Sequence, residues 1–206
     1  MKTFLRLLIG SAALLALSTL AMADSIDLTV PNPGLSGTPG PYATVTWLLS
    51  GADIHVSVDG YPGFEFFGQG NQGNDGIFGF NVVGSTAGLA ITNISWNGST
   101  PITWGGGGGQ MDGFGQFDVV LSDGNPQAGH TVFIFDVSRT AGFSSASDIF
   151  EASSSGAHFA AHVAPTNGNP TGFAGDGGTP VPEPTSMLLL GSGLFALGVL
   201  GRRWIK

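Results

Sequence analysis

Acids, amides and a pair of histidines are the groups in this sequence whose spacing could do chemistry. Asn71, Asn74 and Asp75 crowd one glycine-rich loop, and Asp112 and Asp123 lie near a second. Calcium takes about six to eight oxygens from such side chains and tolerates irregular loops, so these five are the candidate metal ligands. Asp-Gly and Asn-Gly also form turns with no metal, which is the competing account of the same residues. His158 and His162 stand four apart, on one face of a helix or strand. Zinc needs a third ligand, and no Glu follows His158 as in the zinc-protease pattern, so half-exposed strand positions are expected for both. Trp96 and Trp104, beside Asn97-Gly98 and the 105–109 glycine run, are candidate platforms for stacking a sugar ring, with core packing as the alternative. Trp47 sits in an apolar alternation and is expected inside.

No nucleophile elbow, phosphate loop or dinucleotide fingerprint is present. Glu65 and Glu151 are the glutamates of the central region, and nothing around them signals a raised pKa. The chain is therefore expected not to be an enzyme and to carry no catalytic residue or cofactor, calcium being the one candidate ligand. With no cysteine, disulfides and thiolate metal sites are excluded. Between residues 24 and 180 a single Arg faces thirteen acids, a net charge of −12. Such a surface repels phosphate backbones, which excludes nucleic acid as a partner. It leaves divalent cations and neutral sugars.

Strands must position these groups. Glycine is 35 of 206 residues and opposes long helices, at about 1 kcal/mol per helix-interior position. Short apolar segments recur at 42–49, 54–58, 63–67, 77–83, 89–96, 101–104, 114–121, 131–138 and 158–163, with 26–30 as an edge strand. Alternation within them and turn residues between them predict an all-β antiparallel sandwich of jelly-roll type over 24–164. A single short turn is expected near 144–152, capped by Ser147. Residues 75–85 and 112–122 match at six of eleven positions, and 133–138 repeats a fragment. Read as similar strands, these place Phe80, Phe117 and Phe135 inward and Asn81, Asp118 and Asp136 outward. Residues 165–180, rich in Gly and Pro, read as a flexible linker.

The two ends read as targeting signals. Lys2 and Arg6 precede an apolar run to Leu20, and Ala21-Met22-Ala23 then offers small residues just before Asp24. That is a secretory signal peptide over 1–23, cut by signal peptidase between Ala23 and Asp24. At the other end, Pro182-Glu183-Pro184 precedes an uncharged apolar run and then Arg202-Arg203. Residues 185–201 would make a transmembrane helix of about 25 Å, with the basic cluster on the cytoplasmic side. Prolines on both sides of Glu183 hold the motif extended.

This tail, 181–206, resembles the PEP-CTERM sorting signal of Gram-negative bacteria, on Pro182-Glu183-Pro184, the glycine-punctuated apolar run and Arg202-Arg203. Similar tails are also called ice-binding-protein C-terminal segments, a label that is no evidence of ice binding. The resemblance implies recognition by exosortase, a membrane-embedded protease or transpeptidase. It further implies a brief stay anchored in the inner membrane, then delivery to the cell surface or extracellular matrix. The expected function is that of an exported structural or adhesive protein. The alternative is a calcium-dependent carbohydrate-binding module that holds matrix polysaccharide.

Overall fold

The computed structural model describes residues 23–68, 76–98, 101–123, 129–149 and 151–177. The chain opens with β1 (Asp24–Leu28), β2 (Val30–Pro31), β3 (Ala43–Ser50) and β4 (Asp53–Gly60). Next come β5 (Phe64–Phe66), β6 (Phe78–Phe80), β7 (Leu89–Trp96) and β8 (Thr103–Trp104). Then follow β9 (Gly109–Met111), β10 (Gly115–Phe117), β11 (Val119–Ser122), β12 (Val132–Arg139), β13 (Phe159–Pro165) and β14 (Gly172–Gly175). Among the described residues, the remaining regular structure is two 3-10 turns, Pro33–Leu35 and Ala146–Ile149.

Every strand pairing is antiparallel. One sheet runs β1-β3-β4-β12-β7; the other runs β2-β14-β13-β6-β11-β8, with β5 also on β13. The long strands follow from alternation. Val45 and Trp47 on β3, Ile54, Val56 and Val58 on β4, and Phe133, Phe135 and Val137 on β12 all point to one buried face. Gly51, at φ 68, lets β3 turn back into β4 through a two-residue loop. Against that face lies the second sheet. Trp47 meets Phe159 at 5.2 Å, Phe133 meets Phe78 at 5.7 Å, and Phe135 stacks on Phe80 at 5.8 Å between ring centres. Buried phenylalanines from both sheets offset the volume lost to glycine, and each such ring pair adds about 0.5–1.5 kcal/mol beyond its burial.

A second, smaller core lies on the outer side of the β6–β13 sheet. The β9–β10 hairpin folds over it and buries Met111, Phe114 and Phe117 against Ala160 and Phe173. Gly79 permits this approach, since a Cβ there would sit 2.9 Å from Met111 Cγ and 3.1 Å from the Phe117 ring. Phe117 is therefore buried as the internal repeat suggested, but in this outer cluster. The predicted strand at 114–121 is two strands that part company at Asp118. Asn81, expected outward, is buried, and its Oδ1 accepts from Asp118 N at 2.7 Å.

The expected linker at 165–180 is folded in its central part. β14 pairs with β13 and β2, and all four of its residues are buried. Its glycines are there for room: a Cβ on Gly175 would come 2.4 Å from the Phe114 ring, and one on Gly172 2.6 Å from Asn32 Oδ1. The short turn near 144–152 is present at Ala146–Ile149, but Ser147 does not cap it. Ser145 Oγ accepts from Ser147 N, and the Asp148 carboxylate accepts from Ser144 N and Ser145 N. Among the described residues, no helix is long and apolar enough to cross a membrane. The signal segment before Ala23 and the predicted span at 185–201 lie outside the described residues.

Candidate functional site

The sorting residues Pro182, Glu183, Pro184, Arg202 and Arg203 lie outside the described residues, as does Ala21. Ala23 and Asp24 are described, and Asp24 is already the first residue of β1, opposite Trp47.

Of the calcium candidates, Asn71, Asn74 and Asp75 lie outside the described residues. Asp112 heads the β9–β10 turn and accepts from Asn32 Nδ2 at 3.0 Å. Asp123 is buried; its Oδ2 accepts from Gly68 N at 3.3 Å and meets His130 Nε2 at 3.1 Å. Asp112 and Asp123 thus serve separate local networks. Among the described residues, no three His, Asp or Glu side chains gather as a metal would need.

Among the described residues, histidines and carboxylates pair three times. His130 and Asp123 are wholly buried, and a side chain at Gly98 would collide with the imidazole. His55 Nδ1 and Asn93 Nδ2 grip the two oxygens of Asp136, each at 2.6 Å, across β4, β12 and β7. Burial pushes the Asp136 carboxyl up, but the bonds from Asn93 and His55 and the imidazole charge outweigh it and hold it below the usual range. His158 Nδ1 meets Asp176 Oδ2 at 2.8 Å, while Asp176 Oδ1 accepts from His158 N and Phe159 N. His162, expected half-exposed, is buried: it stacks on Phe173 at 4.6 Å with Nδ1 on Phe67 O at 2.8 Å. The two histidines four apart therefore have different partners.

Trp47 is in the core. Trp96 is 37% exposed, on β7 at the edge of the first sheet. Trp104, half-buried on β8 at the edge of the second, borders a cavity of about 370 Å³ lined also by Thr86, residues 106–108, Gln116, Phe117 and Asp118. Its Nε1 donates to Gly107 O at 2.8 Å, so the glycine loop curls round the indole edge. Asp118 reaches the cavity from the hinge between β10 and β11. There its Oδ2 accepts from Val82 N at 3.3 Å, answering the bond that its own N–H gives Asn81. Asn81 and Asp118 are equivalent positions of the internal repeat, so the two copies clasp each other at the cavity wall. Thr86, Gln116 and Asp118 were not singled out from sequence as ligand-binding groups; the repeat was the one signal that pointed towards Asp118.

Arg139, the single basic residue from 24 to 180, is already engaged. Its guanidinium lies 4.6 Å from the Phe143 ring centre and donates to Val83 O at 3.0 Å. Glu65 is half-buried on β5, and Glu151 is exposed beyond the second 3-10 turn.

Comparison with known families finds the PEP-CTERM protein-sorting motif at residues 180–203. No curated protein and no solved structure matches the chain. The motif marks an exported bacterial protein targeted by exosortase and destined for the cell surface or the extracellular space.

Proposed function

Because the chain carries a PEP-CTERM protein-sorting motif at 180–203, we propose that it is a structural or adhesive component of the surface or matrix of a Gram-negative bacterium. Its domain is read as a β-sandwich, two antiparallel sheets sharing one aromatic core. Signal peptidase releases the chain at Asp24, and the tail spans the inner membrane at 185–201 until exosortase acts near Pro182-Glu183-Pro184. No enzymatic activity is assigned.

The motif carries this reading, and the tail tests it. In an exosortase-positive host the protein should leave the inner membrane in shortened form, whereas Glu183→Ala should accumulate there at full length. Wild-type chain found intact in the inner membrane of that host would remove the proposal.

The cavity beside Trp104 favours a second reading, a carbohydrate-binding module that holds matrix polysaccharide. Calcium enters this reading through Asp123, whose carboxylate accepts from Gly68 N, three residues before Asn71 in the sequence.

A further inference from the structure

The Trp104 cavity gathers polar groups that the fold leaves unused. Trp104 commits its only polar atom to Gly107 O, which fixes the ring's orientation. Asp118 spends one oxygen on Val82 N. Its other oxygen, the Gln116 amide and the Thr86 hydroxyl make no hydrogen bond among the described residues. All three residues nonetheless line the same cavity.

The glycine rim supports the same conclusion. Gly108 is sterically required, because a Cβ would lie 2.0 Å from Phe117 O, and Gly106 is required by its φ of 86. Gly105 and Gly107 are under neither constraint: nothing lies within 4 Å of a Cβ at either, and neither has a positive φ. Packing does not explain their lack of side chains. Gly107 lines the cavity, and its bareness keeps the cavity open.

An indole, a carboxylate acceptor, an amide that both donates and accepts, and a hydroxyl suit a ligand with an apolar C–H face ringed by hydroxyls. Charge narrows the class. The −12 of residues 24–180 repels anions, and Arg139 is held over Phe143, so no cation is at hand for a phosphate, sulfate or uronate. We propose that this cavity binds a neutral pyranose unit, stacked on Trp104 and hydrogen-bonded by Asp118, Gln116 and Thr86. The inference rests on the carbohydrate-binding reading but narrows it. Among the described residues, Trp96, Asp112 and Asp123 are not part of the cavity's lining, so binding should need neither Trp96 nor a calcium ion held by Asp112 or Asp123.

The test uses the full chain in a detergent without a sugar headgroup, probed by saturation-transfer NMR. The probes are the methyl glycosides of glucose, mannose and galactose, N-acetylglucosamine, and galacturonate as the charged control. At least one neutral sugar should bind, with EDTA present or absent, and galacturonate should not. Trp104→Ala and Asp118→Asn should each weaken affinity about tenfold, while Trp96→Ala leaves it unchanged. Gly107→Gln guards against a variant that merely unfolds. It fills open space, so its melting temperature should match the parent while binding disappears. Silence from all four neutral sugars overturns the proposal, as does equal binding of galacturonate, full binding by Gly107→Gln, or loss in Trp96→Ala. Membrane fractionation reads the sorting reading separately. A chain that is sorted but binds no sugar refutes the cavity assignment alone.

Discussion

Asp176 offers a direct test of whether the Gly/Pro-rich segment after β13 belongs to the fold. Its side chain is fully buried and accepts three hydrogen bonds: His158 N at 2.8 Å, Phe159 N at 2.7 Å and His158 Nδ1 at 2.8 Å. Asp176→Ala removes all three. Phe159 is fully buried and its ring packs on Trp47, so its N–H loses an acceptor where water does not readily replace it. A buried group left unsatisfied costs about 1–3 kcal/mol, and hydrogen bonds to a charged acceptor are worth about 1.5–3 kcal/mol each. These losses overlap, so about 3–5 kcal/mol is expected for Asp176→Ala. Asp176→Asn keeps Oδ1 for the two backbone donors and should cost about 1 kcal/mol. Urea denaturation of the full chain, followed by tryptophan fluorescence, reads both. With a slope of about 2 kcal/mol per molar, the alanine midpoint should fall by about 1.5–2.5 M. If Asp176→Ala shifts stability by less than about 0.5 kcal/mol, as a surface substitution does, the segment acts as a linker and the reasoning fails.

Two further predictions concern charge. The Asp136 carboxyl titrates below its ordinary value. Its contribution is therefore complete above the unfolded pKa of about 3.9 and is lost as pH falls through the lower folded value. Asn93→Gly keeps the left-handed backbone at φ 53 while deleting one bond to Asp136. The loss of stability on acidification from pH 5 to 2 should become shallower; urea midpoints with an unchanged pH slope would refute this. The second is calcium. If residues 71–75 and Asp123 hold the ion, calcium at a hundred times its dissociation constant should add about 2.7 kcal/mol in thermal melting. No shift would remove it from the account.

The long strands were legible because their side chains alternate. Expected segments at 42–49, 54–58, 89–96 and 131–138 appear as Ala43–Ser50, Asp53–Gly60, Leu89–Trp96 and Val132–Arg139. What escaped was carried by glycine, whose composition reads the same whether it supplies freedom or room. Gly172 and Gly175 marked a linker by composition but are strand positions where another chain segment presses close. β9 was hidden at the end of the 105–109 glycine run for the same reason. Trp104 could be proposed as a sugar platform from its neighbours in sequence. Gln116 and Asp118 could not, because they reach it only after the β9–β10 hairpin folds over Gly79, a contact that no local pattern encodes.

The pairing of β14 with β2 bears on the order of events during export. A chain delivered from its N-terminus presents Asn32 early and Phe173 late, yet Phe173 N donates to Asn32 Oδ1 across 141 residues of sequence. Until β14 emerges, Asn32 lacks that donor and β13 lacks a strand on one side. Closing the second sheet must wait for nearly the last of the domain to cross, and contacts of such separation form slowly. Only five residues, 177–181, then lie between Asp176 and Pro182, about 18 Å when fully stretched. The second sheet therefore cannot close before the residues beside the sorting motif have been delivered. The position of a single late strand thus makes the last step of folding a neighbour, along the chain, of the signal that sorts it.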